Sequence, residues 1–296
     1  MGFLRPPMLV AVLTAAFTAA PHAANAAPAA SKARLHYSWC VDAPLGGTGV
    51  AALLIGLQLN THTRPVPLGG FDPSDIHWGV DRRVVHQVDT LAGDRSDTMR
   101  DIALALPLVL GAVTAAPGNR LCASADRIAL HVEASAIALG VVEVLKKSIS
   151  RPRPYTYLAA TDRPTTSAYD VTKDESFQSM ASGHAATAWC AVGVTLADPW
   201  LDAPDATWKR RAMVAFIGST IATATAVLRT EAGQHFPTDV TAGGAIGLAS
   251  GIAVPLLHRF TVDGTPIPPR SRHGWYEKTA GVVAGIGAGV LVGKAL

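Results

Sequence analysis

Apolar residues fall in long blocks along the chain, separated by short polar or Pro/Gly-punctuated connections, and no strand-like alternation interrupts them. Met8 to Ala20 form the first block and Gly49 to Leu59 the second, with a punctuated stretch from Thr61 to Asp75 after it. Asp81 to Asp94 is polar, with Val84, Val85, Val88 and Leu91 at helical spacing, which predicts a surface helix. Ser96-Asp97 reads as the cap of a helix whose interior is Ile102 to Ala116, closed by Pro117-Gly118. A longer amphipathic helix is predicted from Ser124 to Ser148, and Pro152 and Pro154 forbid its continuation. Tyr155 to Ser179 is a polar loop without periodicity. Helices follow over 183–196, 212–228 and 237–257. In the last apolar block, Thr279 to Gly293, glycines 281, 285, 289 and 293 recur every four residues, a seam suited to close helix approach. The pattern predicts an all-α fold.

Composition narrows the class. Charged residues are 16% of the 296, well below the roughly 25% of an ordinary soluble protein. Apolar residues are 49% and aromatics only 6%, so the excess is small side chains. That excludes a disordered chain. The net charge of +3 lacks the basic field a nucleic-acid binder needs. Three cysteines without a Cys-x-x-Cys pair exclude a disulfide scaffold and suggest no zinc site.

The N-terminus carries a compartment signal. Arg5 precedes the Met8–Ala20 run, and Ala24-Asn25-Ala26 offers a small-x-small cleavage site, the layout of a secretory signal peptide. The expected organisation is a signal peptide over 1–26, an N-terminal segment and first helix over 27–95, a core over 96–257, and a tail with the glycine-rich helix over 258–296. Stretches 212–228 and 240–257 are uncharged and reach the lower edge of a membrane span. A membrane-associated bundle and a compact exported one both fit, and the first is the expectation.

Chemistry-bearing residues gather at predicted helix ends. Lys146 closes one helix and is followed by Arg153-Pro154; Ser182-Gly183-His184 open the next; Arg229 closes another and is followed by His235 and Asp239. If consecutive helices run antiparallel, as short connections require, all of them meet at one end of the bundle. They suit phosphate. Lys146, Arg153 and Arg229 supply charge-assisted bonds, and Ser182-Gly183 at a helix start supply backbone N–H groups and a favourable dipole. One histidine can attack phosphorus while the other protonates the leaving oxygen, and Asp239, one turn past His235, would orient its ring. No carboxylate cluster is available for magnesium, so metal-independent catalysis is expected, with no cofactor.

Lys146-x6-Arg153-Pro154, Ser182-Gly183-His184 and Arg229-x5-His235-x3-Asp239 resemble, in order and spacing, the three-part signature of the type 2 phosphatidic acid phosphatases. That superfamily also includes bacterial class A acid phosphatases and vanadium haloperoxidases. The resemblance implies a six-helix antiparallel bundle with the active site at one end, His235 as nucleophile, Asp239 as its partner and His184 as acid. It implies phosphate binding by Lys146, Arg153, Ser182, Gly183 and Arg229. Ala181 stands where the family usually has proline, and Leu228 where it usually has serine.

The expected partner is a phosphorylated lipid or a small phosphomonoester, met in the bacterial envelope either at the membrane with a periplasmic site or in the periplasm itself. The alternatives are a soluble periplasmic acid phosphatase of broad specificity and, from another class, a non-catalytic envelope scaffold packing a partner on the 281–293 seam. Each motif alone has an ordinary reading: a dipole-compensating Lys, an Arg-Pro turn, a local His–Asp pair. Lys173, Asp174, Glu175 and Phe177 are expected to border the site entrance and contact substrate. His131 is expected to be a satisfied interior residue. A Cys40–Cys122 disulfide is permitted if the whole chain is exported.

Overall fold

A computed structural model describes residues 33–35, 39–114, 120–202, 206–261 and 272–296. The expected signal segment and the Pro117-Gly118 stop lie outside them. The described chain runs through α1 (Trp39–Gln58), the one-turn α2 (Gly79–Arg82), α3 (Thr90–Thr114), α4 (Arg120–Ile149), α5 (Gly183–Leu196), α6 (Trp208–Glu231), α7 (Pro237–Leu257) and α8 (Arg272–Ala295). The architecture is helical but for one antiparallel pair of three-residue strands, β1 (Ala33–Leu35) on β2 (Arg259–Thr261).

Glycine sets how the helices approach. Gly243, Gly247 and Gly251 of α7 meet the carbonyls of Ser182, Ala186 and Cys190 of α5 in the same order, so a Cβ on any of them would fall on backbone oxygen. These two helices therefore run parallel and in backbone contact. Gly281, Gly285, Gly289 and Gly293 of α8 lie along Ala212, Phe216, Thr220 and Val227 of α6, again in parallel. Gly49 and Gly56 of α1 rest on Ala136-Ile137 and Glu143-Val144 of α4. The tail seam is thus consumed inside the chain, which removes the surface that the scaffold alternative offered to a partner.

Several expected elements differ. The expected surface helix over 81–94 is instead α2, a turn, and the start of α3. Asp81 is fully buried as a hydrogen-bond acceptor, and Val84 and Val85 turn into an apolar cluster, so the spacing reflected a core-facing turn. α3 begins at Thr90, capped by the Asp89 carboxylate, which accepts from Leu91 N at 2.8 Å. Ser96, expected as the cap, lies inside α3 and donates its hydroxyl to the Thr225 carbonyl. The 155–179 loop is wound into 3-10 turns at Pro154–Tyr157, Ser167–Tyr169 and Asp174–Phe177 around buried aromatic rings. His131 is interior but not satisfied: neither ring nitrogen has a hydrogen-bond partner among the described residues. Cys40 and Cys122 fall in the first turns of α1 and α4, with side chains outside the description, while Cys190 is a free, buried thiol.

The outer surfaces stay apolar. α4, α6, α7 and α8 each contain a stretch long and apolar enough to cross a membrane. Leu54 and Leu57 on α1, Val132 and Val141 on α4, and Val283 and Leu291 on α8 are exposed.

Candidate active site

The parallel α5–α7 pair brings two helix N-termini together, and Ser182 N donates to the Asp239 carbonyl at 3.0 Å to lock them. α4 and α6 deliver their C-terminal ends to the same place. Lys146 Nζ lies 3.7 Å from where a Gly183 Cβ would stand. Past α4, Ser150 adopts a left-handed conformation with φ 46°, and Pro152 and Pro154 keep the chain extended. This carries Arg153 to Gln234, whose side-chain oxygen accepts from it, and to the Glu175 carbonyl at 2.7 Å. Past α6 the chain reverses tightly. Gln234 N and His235 N both donate to the Arg229 carbonyl, and Gly233 takes φ 66° where a side chain would strike Gln87.

His235 is buried, and its Nδ1 lies 2.7 Å from the Ser179 carbonyl. A carbonyl only accepts, so Nδ1 carries the proton and Nε2 presents a lone pair. Nε2 has no hydrogen-bond partner among the described residues. Burial, then the charges of Arg153, Arg229 and Lys146, hold the ring's pKa well below its ordinary value. Arg229 is nine-tenths buried, and its Nε has no partner among the described residues. Buried donors are almost always bonded, and this one is left able to meet an acceptor from outside the protein. Ser182 caps α5 by accepting from Ala185 N at 3.4 Å, and the first N–H groups of that helix have no intrahelical acceptor.

Asp239 is placed differently from the sequence expectation. Its carboxylate does not touch the His235 ring. It accepts from Arg151 at 2.5 Å, Ser179 Oγ at 2.5 Å and Phe236 N at 2.8 Å. Its influence on the nucleophile candidate runs through Ser179, whose hydroxyl it holds and whose carbonyl holds the ring. Arg151, which sequence reading passed over, spans Asp239 and the buried Asp81, while Thr238 Oγ1 donates to Asp81 at 2.6 Å. Its guanidinium also stacks 4.1 Å over the Phe236 ring. The Arg-Pro-Arg-Pro run shows two arginines; spacing to Pro154 singled out only the second.

His184 is partly exposed, with Nε2 2.6 Å from Asp97 Oδ1 and 2.8 Å from Arg100 NH1. Burial and then Arg229 push its pKa down to about 4, against the opposing pull of Asp97. Lys146 is paired with Glu143 at 2.6 Å, an i,i+3 partner that the helical pattern contained. Phe177, expected to contact substrate, is instead buried against Phe71; Lys173, Asp174 and Glu175 are exposed. The two departures from the family pattern lie in apolar clusters: Leu228 with Ala92 and Ala232, Ala181 with Val142 and Ala186. Among the described residues, no group of three or more His, Cys, Asp or Glu could hold a metal ion.

Residues 128–262 match the model of the PAP2 superfamily. No curated protein and no solved structure matches the chain. The matched segment contains Lys146, Arg153, the opening of α5, Arg229 and the His235–Asp239 turn, so over these residues the chain is similar to the PAP2 superfamily.

Proposed function

We propose that this cluster is the active centre of a metal-independent phosphomonoesterase that works through a phosphohistidine at His235. One observation carries the reading: a histidine with its proton fixed on the Ser179 carbonyl and its other nitrogen free, beside the orphaned Nε of Arg229. Lys146, Arg153, Arg229, the Ser182 hydroxyl and the Gly183 N–H at the start of α5 hold the phosphoryl oxygens. His235 Nε2 attacks phosphorus, the P–O ester bond breaks, and the leaving oxygen takes its proton from His184. Water then attacks the phosphohistidine, the P–N bond breaks, phosphate departs and His184 recovers a proton.

The substrate is a lipid phosphate or diphosphate of the bacterial envelope, which the chain reaches after export. The exposed apolar flanks of α1, α4 and α8 favour this over a soluble substrate, because an apolar surface of that extent seeks lipid. The test is phosphate release by purified protein in EDTA, on p-nitrophenyl phosphate and on phosphatidic acid vesicles, against His235→Ala. Activity that survives EDTA and vanishes in the variant is expected. Activity retained in the variant overturns the assignment, and preference for the soluble ester favours the acid phosphatase alternative.

A further inference from the structure

His184 Nε2 is met by two side chains of α3 that stand one turn apart. Asp97 Oδ1 stands 2.6 Å away and Arg100 NH1 2.8 Å away, with 3.4 Å between those two atoms. The far side of the Arg100 guanidinium is held by Asp101, through Nε at 3.0 Å and NH2 at 2.9 Å. Both residues lie outside the segment that matches the family. An imidazole nitrogen carries either a proton or a lone pair; a carboxylate only accepts and a guanidinium only donates. Asp97 is therefore the partner of the protonated nitrogen and Arg100 the partner of the bare one.

We propose that Asp97 and Arg100 are positioning residues that hold His184 Nε2 through its acid–base cycle, Asp97 before the proton is given up and Arg100 after. The proposal rests on the phosphatase reading of the site. Asp97 is half exposed whereas His184 is not, so the carboxylate can yield its place to an incoming leaving oxygen while the ring stays put. As the ester bond breaks, the proton passes from Nε2 to that oxygen, and the bare nitrogen accepts from Arg100. When water attacks the phosphohistidine, Nε2 takes the released proton and returns to Asp97. The other charges around the ring are Arg229 from α6 and Lys146 from α4, which comes close to the adjoining Gly183. The Asp239 carboxylate of α7 is turned away to Arg151 and Ser179.

Asp97→Asn and Arg100→Gln test this on two esters, p-nitrophenyl phosphate and an alkyl phosphate, with ring titration of 15N-histidine-labelled protein as a readout independent of turnover. Nitrophenolate departs without a proton and an alkoxide does not. Asp97→Asn should therefore lower kcat on the alkyl ester about tenfold or more while costing the nitrophenyl ester under roughly threefold. The basic limb of its pH profile should move to lower pH, because the carboxylate that favours the charged ring is gone. The His184 titration should fall in Asp97→Asn and rise in Arg100→Gln. Equal losses on both esters, or an unmoved titration in an active protein, would overturn the proposal alone. A wild type inactive on both esters would overturn the phosphatase reading, and the catalytic half of the proposal with it.

Discussion

The Nδ1 of His235 and the carbonyl oxygen of Ser179 stand 2.7 Å apart, and this one contact decides which nitrogen of the ring faces the cations. Because the acceptor is backbone, Ser179→Ala keeps it and loses only the hydroxyl bond to Asp239. A modest fall in kcat is expected, about tenfold or less, whereas His184→Ala should cost roughly 10²–10⁴-fold on an alkyl ester. Steady-state kinetics on both variants check the ordering.

The histidine shifts set a pH dependence of activity. Burial, and then Arg229 repelling its charged form, push the His184 pKa down to about 4 in the free enzyme. A bound phosphate dianion offsets that guanidinium and raises the ring's pKa. Since kcat/KM reports the free enzyme and kcat the complex, the basic limb of kcat should lie at higher pH than that of kcat/KM. Coincident limbs would contradict the field ascribed to Arg229.

Stability follows the same groups. Both histidines bind protons more weakly folded than unfolded, so their contribution is full above the ordinary histidine pKa of about 6.5. It is lost progressively as pH falls toward 4 for His184, and over a window extending further down for His235. Measured without added phosphate, the melting temperature should therefore drop across pH 6.5 to 4. Inorganic phosphate or vanadate, filling the orphaned Arg229, should raise the melting temperature in proportion to the logarithm of its concentration, and vanadate should inhibit.

Arg151 ties Asp81 and Asp239, both fully buried. Arg151→Met leaves two uncompensated carboxylates and should destabilise by about 3–5 kcal/mol. Pairing it with Asp81→Asn should recover part of the loss. Chemical denaturation in detergent measures both.

The α5–α7 contact has no room for a methyl group at Gly247, whose Cβ would meet the Ala186 carbonyl. Gly247→Ala should cost about 1–3 kcal/mol and lower activity as well, since the two helix N-termini that frame the site would separate. Gly287→Ala, with open space around it, should do neither.

Helices with strong punctuation were legible in the sequence: Gly183–Leu196 and Pro237–Leu257 begin and end as the pattern predicts. The motif residues were legible because each stands beside a helix end that proline, glycine or serine marks. Long-range partners were not. Asp81, Asp97 and Arg151 are ordinary surface types in local context, and only tertiary packing buries Asp81 or brings Asp97 across to His184. The 81–94 stretch misled because valines facing a core from a turn give the same spacing as one helix face. Asp239, one turn from His235, had the spacing of a direct partner, but the helix N-terminus turns its carboxylate back onto Phe236 N and Ser179.

The short β1–β2 ladder carries a consequence for sidedness. α7 leaves the cation cluster at Pro237 and runs 21 residues, about 31 Å at 1.5 Å per residue, before β2 begins at Arg259. Ala33–Leu35, paired with β2, is thereby held at the end of the molecule remote from His235. In a bundle that crosses the bilayer, the β1–β2 ladder and the cation cluster must face opposite compartments; in one lying wholly beyond the membrane they share a compartment. If Ala33–Leu35 is exported, the two cases are separable on intact cells with an impermeant maleimide, using Arg34→Cys and Thr161→Cys. Labelling of both places the cation cluster outside with the envelope lipids, and labelling of Arg34→Cys alone turns it toward the cytoplasmic leaflet.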